Sequence, residues 1–341
     1  MNYITLIIYS LITVSTFAEK QEILYPAELI SKSLSQQIDL YRTDETYTGQ
    51  GGLKNYYARF IVPTGTITTP LLLITGAEDP TPLWYRTVGK AIEQGFKNIY
   101  IIEIRGQGLS ERVAGNDKKL IHVNDFQNYY KDFISALKHI NRYKTLNAPV
   151  YVISHSTGSM VLLNSLEKAK KEIPEFKINA MSFWAPLIRV HLSKLLDNTM
   201  APKLVSSIEK MYRSCCGPFV YKKFKRSSFE KNKLTGNISK FNIYQDLMYK
   251  HSHGSTGFSL AWVIGVLSEL RYLRSGVIKT HSIPTLNLKA EFDRVVNNDY
   301  KFSNKNLETH TIKGSKHSFN LESDLIYNNV IKKTFGFLLS H

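Results

Sequence analysis

The stretch "VYVISHSTGSMVLL", residues 150–163, decides the fold, because a strand gives way to a helix within it. Its first half is a run of β-branched and aromatic residues, typical of a strand that is covered on both faces. After Gly158 the apolar residues recur at helical spacing. Ser156 stands in the turn between the two, with the small residues Ser154 and Gly158 two positions before and after it. Such a turn presents a side chain at the carboxyl end of the strand, where the following helix points its first N–H groups, including that of Thr157.

Strand-length apolar runs alternate with amphipathic stretches along much of the chain. The predicted strands cover residues 57–62, 71–75, 98–104, 150–154, 178–184, 285–290 and 309–313, and the predicted helices cover 83–95, 125–140, 158–171 and 324–338. This alternation predicts an α/β fold with a mostly parallel, doubly wound sheet and helices on both faces.

One long segment interrupts the alternation. Residues 189–279 contain no run that resembles a buried strand, and they are enriched in lysine and aromatic residues. A segment of this length is too long for a structureless loop, so we expect a largely helical cap inserted into the core. The core would then comprise residues 19–188 and 280–341.

A serine hydroxyl needs a base and a carboxylate to act as a nucleophile, and both follow Ser156 at predicted strand ends. Asp293 comes just after the strand 285–290, and His317 lies in the loop after the strand 309–313. The rival carboxylates are Glu291 and Asp299, and the rival base is His310, which lies inside a predicted strand. The backbone N–H of Ala77, after the turn at Gly76, is expected to form an oxyanion hole together with that of Thr157.

The order serine, aspartate, histidine is that of the α/β-hydrolase fold, and several segments make the resemblance more specific. The chain resembles the lysophospholipase and monoacylglycerol lipase group of α/β-hydrolases, most closely the PldB-type bacterial lysophospholipases. The segment "IYIIEIRGQGLSER", residues 99–112, is similar to the D-x-R-G-x-G-x-S signature of that group, with Glu103 in place of the aspartate. "AEFDRVV" and "KGSKHSF" match its acid and base loops. Departures occur at Ser154, Thr75 and Glu103, and we expect Glu103 to pair with Arg105 and fix this loop.

The resemblance implies hydrolysis of a carboxylic ester of a single-chain lipid, a lysophospholipid or a monoacylglycerol, through an acyl-enzyme. Ser156 would be the nucleophile, His317 the general base and Asp293 its orienting carboxylate, with no cofactor. Two alternatives stay open: a serine aminopeptidase similar to proline iminopeptidases, and a lipid-binding protein on a decayed hydrolase scaffold. The substrate-binding residues are not predicted.

The N-terminal segment is apolar and uncharged from Ile4 to Ala18, and it ends in a small-x-small pattern. It is too short for an ordinary membrane span, so residues 1–18 are predicted to be a secretory signal peptide, with an uncleaved anchor as the alternative. The expected location is therefore secreted or periplasmic, with membrane association if the segment is kept.

The formal net charge of +16 favours anionic partners. No nucleic-acid-binding motif accompanies the lysines, so we expect peripheral contact with an anionic membrane surface, made by the cap segment "YKKFKR" (221–226). An ordinary solvated lysine face would explain the same letters. The adjacent Cys215 and Cys216 exclude a disulfide scaffold, and His251 with His253 lack the neighbours that a metal site needs.

Overall fold

The computed structural model describes residues 30–113, 119–142, 149–191, 220–223, 225–250, 254–274, 282–300 and 306–341. The predicted signal peptide, the two cysteines, and His251 with His253 lie outside these residues. The predictions about them stay predictions.

The core is an eight-stranded sheet in the order β1-β2-β4-β3-β6-β7-β10-β11. The strands are β1 (Arg42–Thr48), β2 (Lys54–Ile61), β3 (Leu71–Ile74), β4 (Asn98–Ile102), β6 (Val150–His155), β7 (Ile178–Trp184), β10 (Thr285–Ala290) and β11 (Leu307–Ile312). Strand β2 pairs antiparallel with β1 and with β4, and the remaining neighbours are parallel. The predicted fold class, an α/β-hydrolase fold with a mostly parallel sheet, is confirmed.

The apolar runs of the central strands serve both faces of the sheet. In β3, Leu71 and Leu73 enter one core cluster, whereas Leu72 and Ile74 enter the other. Alternate residues of a strand point to opposite faces, so a strand covered on both sides must be apolar throughout. This explains why the central strands are legible in the sequence.

Helices cover both faces. The helices are α1 (Lys32–Tyr41), α2 (Tyr85–Glu93), α3 (Gln127–Asn141), α4 (Thr157–Glu172), α5 (Ile238–Lys250), α6 (Leu260–Arg274) and α7 (Asp324–Leu339). Buried residues of α2 and α7 belong to one core cluster, and those of α3 and α4 belong to the other. None of the helices in the described ranges is long and apolar enough to cross a membrane.

Between β7 and β10 the described residues contain α5 and α6, in agreement with a cap rich in helix. They also contain two short strands, β8 (Val220–Lys223) and β9 (Gly257–Ser259), which the sequence analysis did not predict. Together with β5 (Leu120–Ile121) these form a second sheet in the order β5-β9-β8. The cap is therefore tied to the core by strand pairing as well as by helix packing. Its exact boundaries stay a prediction.

Candidate active site

Ser156 lies in a strained turn between β6 and α4. Its backbone has φ 49° and ψ −118°, a conformation that non-glycine residues rarely adopt. Two backbone hydrogen bonds fix this turn. The Ser156 N–H donates to Trp184 O at 3.1 Å, and the Leu187 N–H donates to Ser156 O at 3.0 Å. The strain thus persists because the end of β7 and the segment that follows it bind both the N–H and the C=O of Ser156.

The small residues that flank Ser156 are required for different reasons. A Cβ atom on Gly158 would lie 2.4 Å from Thr75 O and 2.7 Å from Ile74 O, because α4 begins against the end of β3. Ser154 stands where related patterns have glycine, and its hydroxyl lies 3.0 Å from that of Ser159 in the first turn of α4. Ser154 is therefore accommodated in the turn through a hydrogen bond between its hydroxyl and that of Ser159.

The structure brings Ser156, His317 and Asp293 together in one line. Ser156 Oγ lies 3.0 Å from His317 Nε2, and His317 Nδ1 lies 2.8 Å from Asp293 Oδ2. The other carboxylate oxygen, Asp293 Oδ1, accepts the N–H groups of Val295 and Val296 at 2.8 and 2.9 Å. These bonds hold the carboxylate so that His317 keeps its proton on Nδ1 and offers a lone pair to the serine hydroxyl.

The electrostatics of the pair suit a proton acceptor. Burial lowers the pKa of His317 below its ordinary value, against the opposing effect of Asp293. Burial would raise the pKa of Asp293, but His317 and the two backbone N–H groups outweigh it and lower the pKa. A neutral imidazole beside an ionised carboxylate is the state that a general base requires.

The rival residues lie elsewhere. Glu291 is exposed and accepts the Gly314 N–H at 2.8 Å, and Asp299 forms an exposed ion pair with Arg189 at 3.4 Å. His310 lies in β11, 3.5 Å from Glu308. Within the part of the chain that the structure describes, none of these three side chains forms a hydrogen bond with the Ser156 hydroxyl.

The turn after β3 places the backbone of Gly76 and Ala77 beside Ser156. A Cβ atom on Gly76 would lie 3.1 Å from Ser156 Cβ, which measures how closely this turn approaches the serine. Thr157 is the first residue of α4, so its N–H has no acceptor within the helix. That the N–H groups of Ala77 and Thr157 together form the oxyanion hole stays a prediction.

The loop after β4 supports that turn. The Glu78 residue has φ 56°, and its N–H donates to Gln107 Oε1 at 2.7 Å. Glu103 is fully buried and accepts both the N–H and the hydroxyl of Thr81, each at 2.8 Å, as well as the Leu109 N–H at 2.7 Å. The "EIRGQG" segment thus holds the turn that carries Ala77.

The expected pairing of Arg105 with Glu103 is wrong. Arg105 forms a buried ion pair with Asp132 of α3, and it also donates to Gln50 O at 2.8 Å. Glu103 instead uses its oxygens for the Thr81 and Leu109 donors, and burial raises its pKa. The loop is fixed by two separate buried carboxylates, one on each side.

A second histidine and carboxylate, which sequence reasoning missed, lie directly behind the first. His155 Nδ1 donates to Asp79 Oδ2 at 2.9 Å, and His155 Nε2 donates to His317 O at 3.2 Å. Since both ring nitrogens face acceptors, the two bonds together require the protonated ring. Burial alone would lower the pKa of His155, but Asp79 outweighs it and raises the pKa. The available signal was that His155 follows the predicted strand 150–154 and that Asp79 comes shortly after the predicted strand 71–75.

No group of three or more histidine, cysteine, aspartate or glutamate side chains that could hold a metal ion occurs in the described ranges. The residues gathered around Ser156 are those of an acyl-transfer site that works with a serine, an imidazole and a carboxylate.

Comparison with known proteins gives the site a family. The family model described as "Serine aminopeptidase, S33" matches residues 83–324. This range includes Ser156, Asp293 and His317. The comparison with curated protein sequences finds no match.

Solved structures with the same fold include lipases and an esterase. A soluble variant of monoglyceride lipase from Saccharomyces cerevisiae, in complex with a substrate analog, has a TM-score of 0.67 and 18% identity, covering 88% of this chain and 95% of that one. A monoacylglycerol lipase from Paleococcus ferrophilus has a TM-score of 0.59 and 13% identity, covering 84% and 99%. A thermostable carboxyl esterase from Bacillus coagulans, in complex with glycerol, has a TM-score of 0.61 and 10% identity, covering 87% and 99%. At these identities the likeness extends to the fold.

Proposed function

The chain belongs to the serine aminopeptidase S33 family of α/β-hydrolases, and on that premise we propose that it cleaves carboxylic esters of single-chain lipids through an acyl-enzyme. The observation that carries the proposal is the line of contacts from Ser156 Oγ to His317 at 3.0 Å and from His317 to Asp293 at 2.8 Å. Nucleophile, base and orienting carboxylate are the three parts that ester hydrolysis by a serine needs.

In the first half of the proposed reaction, Ser156 Oγ attacks the ester carbonyl carbon while its proton passes to His317 Nε2. The oxyanion that forms is held by the N–H groups of Ala77 and Thr157, a contribution of roughly 3 kcal/mol per donor. The tetrahedral intermediate collapses when His317 gives its proton to the leaving alcohol. Asp293 offsets the positive charge on the imidazole during both steps.

In the second half, His317 takes a proton from a water molecule while the oxygen of that water attacks the acyl carbon. The second tetrahedral intermediate releases the fatty acid, and the proton on His317 returns to Ser156 Oγ. The serine hydroxyl is regenerated and one water is consumed. No cofactor is needed for this sequence.

Three considerations support a lipid as the substrate. The motifs around the acid and base resemble the lysophospholipase and monoacylglycerol lipase group. Solved lipases share the fold over most of the chain. The positive net charge of the chain suits the surface of an anionic membrane, where such substrates reside. We also propose a secreted or periplasmic location, on the composition of residues 1–18.

The aminopeptidase alternative is second, and two observations favour it. The family description names an aminopeptidase, and Glu78 places a carboxylate next to Ala77, where it could bind a substrate's cationic amine. That carboxylate already accepts a hydrogen bond from the buried Tyr244 of the cap helix α5, which is the reason for ranking this activity lower.

The deciding experiment combines labelling with substrate comparison. A fluorophosphonate probe should label the parent, and the Ser156→Ala variant should lose the label and at least about a thousandfold in fatty-acid release from lysophosphatidylcholine and monoacylglycerol. Ser165→Ala is the matched control, because that serine lies in α4, which follows the Ser156 turn, and its hydroxyl donates to Val161 O at 2.7 Å. It should keep both properties.

Each alternative predicts a different result. Faster hydrolysis of proline naphthylamide than of any acyl ester would favour the aminopeptidase. A parent that the probe does not label, with the same behaviour as Ser156→Ala in every assay, would point to a decayed scaffold and overturn the proposal.

A further inference from the structure

Four large apolar side chains are exposed around the loops that carry Asp293 and His317. Seven large apolar residues in the described ranges are at least 36% exposed, and these four are among them: Ile238 (58%), Phe292 (57%), Val295 (36%) and Leu325 (84%). The other three, Leu40, Val113 and Leu339, lie on other elements. Exposed apolar residues that cluster on one part of a surface usually mark a binding site.

The segments that carry these four side chains adjoin one another. In the acid loop, the Phe292 N–H donates to Ser315 O of the base loop at 2.9 Å. The base loop in turn donates from the Ser318 N–H to Leu234 O at 2.8 Å, just before α5 begins at Ile238. The acid loop, the base loop and the segment before α5, which carry three of the four exposed apolar residues or lie next to them, thus adjoin one another.

The start of α7 joins the same region. Asp324 begins this helix, next to Leu325, and accepts a hydrogen bond from Lys240 of α5 at 2.6 Å. Just before this helix, Glu322 accepts the N–H groups of Gly236 and Lys316, at 3.2 and 2.7 Å. The start of α7, which carries Leu325, is therefore held against the start of α5 and the base loop.

Positively charged residues surround the apolar ones. Lys231 and Lys233 precede α5 and are exposed, as are Arg294 in the acid loop and Lys313 before the base loop. Lys316, in the base loop, is half-buried, with its ammonium group 5.5 Å from the ring centre of Phe229. Five cations thus belong to the segments that carry the exposed apolar side chains.

The same segments also carry five acidic residues, most of which are engaged, and Asp293 among them is bonded to His317. Asp324 is bound by Lys240 and by Arg86, at 2.6 and 2.7 Å, and Glu322 is buried. Glu291 accepts the Gly314 N–H at 2.8 Å. Glu230 and Glu291 are the exposed acids that no cation pairs with here, and the four exposed cations outnumber them, so the exposed charge of the region is positive.

We propose that this region is a docking surface for an anionic lipid bilayer, defined by Ile238, Phe292, Val295 and Leu325 and by the five cations around them. The inference rests on the proposed function, since it names the surface on which the lipid substrate is met. Aliphatic and aromatic side chains enter the boundary between headgroups and acyl chains, while lysine and arginine attract anionic lipids. Nucleic acid would use the cations but would gain little from the exposed isoleucine, valine and leucine.

The location differs from that expected from the sequence. The sequence analysis placed membrane contact on the cap segment 221–226, whereas this surface is built from the acid loop, the base loop and the starts of α5 and α7. Docking would bring the elements that carry Asp293 and His317 against the lipid. A lipid substrate could then reach the site without crossing bulk water.

The test measures binding of the full chain to vesicles of phosphatidylcholine with 30% phosphatidylglycerol, by sedimentation. The composition is our choice of probe. The parent should bind them, and Ile238→Ser with Leu325→Ser should weaken binding at least about tenfold, because about 0.8 kcal/mol is lost per CH₂ that no longer inserts. Leu40→Ser is the matched control, an exposed leucine (74%) away from the surface, and should bind like the parent.

The charge requirement has its own variants. Lys231→Gln with Lys233→Gln should weaken binding roughly thirtyfold, because each lysine near an anionic surface contributes about fivefold. Lys170→Gln with Lys171→Gln, two exposed lysines at the end of α4, should have little effect. Thermal unfolding of every variant shows that the fold is intact.

The outcomes separate this inference from the proposed function. Vesicle binding that the four substitutions leave unchanged would overturn the docking surface, even if the parent hydrolyses lipid esters. A parent dimer that the apolar substitutions dissociate would also overturn it, since a second copy would then cover the surface. Vesicle binding that responds as predicted, without any ester hydrolysis by the parent, would support the surface and refute the proposed function.

Discussion

His155 Nε2 donates a hydrogen bond to the backbone oxygen of His317, at 3.2 Å, so the residue before the nucleophile holds the loop that carries the base. The two rings lie with their centres 4.9 Å apart. The opposite nitrogen of His155 is held by Asp79, which also accepts the Gly76 N–H at 3.1 Å. One buried imidazolium therefore connects the base loop to the turn beside Ser156.

The first prediction concerns the pH dependence that this arrangement imposes. Positive charge on His155 lowers the pKa of His317, and His155→Gln removes that charge. The pKa of His317 should rise, so the loss of kcat/KM on acidification should begin at a higher pH than in the parent. The measurement is a pH profile of kcat/KM with a soluble ester. His310→Gln, in the edge strand β11, is the control and should keep the parent's profile.

A purely structural role for His155 predicts something else. His155→Gln would then reduce kcat or thermal stability without moving the acid limb of the profile. That result would contradict the electrostatic part of the argument and leave only the support of the base loop.

The second prediction concerns the carboxylate behind the base. Asp293→Asn retains an oxygen for the Val295 and Val296 N–H groups, but it no longer favours the tautomer with the proton on Nδ1. We expect kcat to fall by roughly 10³ to 10⁴ with a small change in KM. Asp299→Asn is the control, because this aspartate is exposed and its ion pair with Arg189 is worth little. Equal losses in both variants would remove Asp293 from the mechanism.

The third prediction compares two helical glycines. Gly158→Ala would place a methyl group against Thr75 O and Ile74 O, which are backbone atoms and cannot rotate away. We expect about 1 to 3 kcal/mol of destabilisation and at least a hundredfold loss of activity, since the turn at Ser156 must shift. Gly336→Ala meets nothing within 4 Å and lies on the exposed side of α7, so it should stabilise by about 0.5 to 1 kcal/mol. Chemical denaturation and ester hydrolysis measure both effects.

The fourth prediction compares two glycines with left-handed backbones. Gly108 has φ 51°, and a Cβ atom there would lie 2.2 Å from the Glu103 carboxylate that holds Thr81 and Leu109. Gly108→Ala should therefore cost about 3 kcal/mol, the sum of the backbone penalty and the displaced carboxylate. Gly51 has φ 76° and open space around it, so Gly51→Ala should cost only the backbone penalty of about 1 kcal/mol. Similar free energies of unfolding for the two variants would show that the Glu103 network is not rigid.

The parts of the fold that the sequence predicts are those whose signal is local. Strands β7 and β10 were predicted with the bounds that they have, because apolar residues dominate β7 and alternate with polar ones in β10. Strand β1, "RTDETYT", was missed because it lies at the sheet edge and is mostly polar, so it reads as a loop. The cap strands β8 and β9 have three or four residues each, too few to produce a period.

Within the site, chain order and strand ends were enough to select the residues that meet at Ser156. The partners of the buried charges were not predictable in the same way. Arg105 was assigned to Glu103, two positions away, but it bonds to Asp132, 27 positions away. His155 and Asp79 are 76 residues apart, and they meet because β3 and β6 are neighbours, which depends on the order of strands in the sheet.

The cap leaves the core after β7 and returns at β10, and these two strands pair directly with each other in the sheet. Because the two strands are parallel, the insertion starts at the carboxyl end of β7 and returns to the amino end of β10, a crossover that needs at least about a dozen residues. A replacement segment that still makes this crossover would leave β10, and with it Asp293, in register with the rest of the sheet. Substrate range and catalytic power can thus evolve on separate parts of this chain.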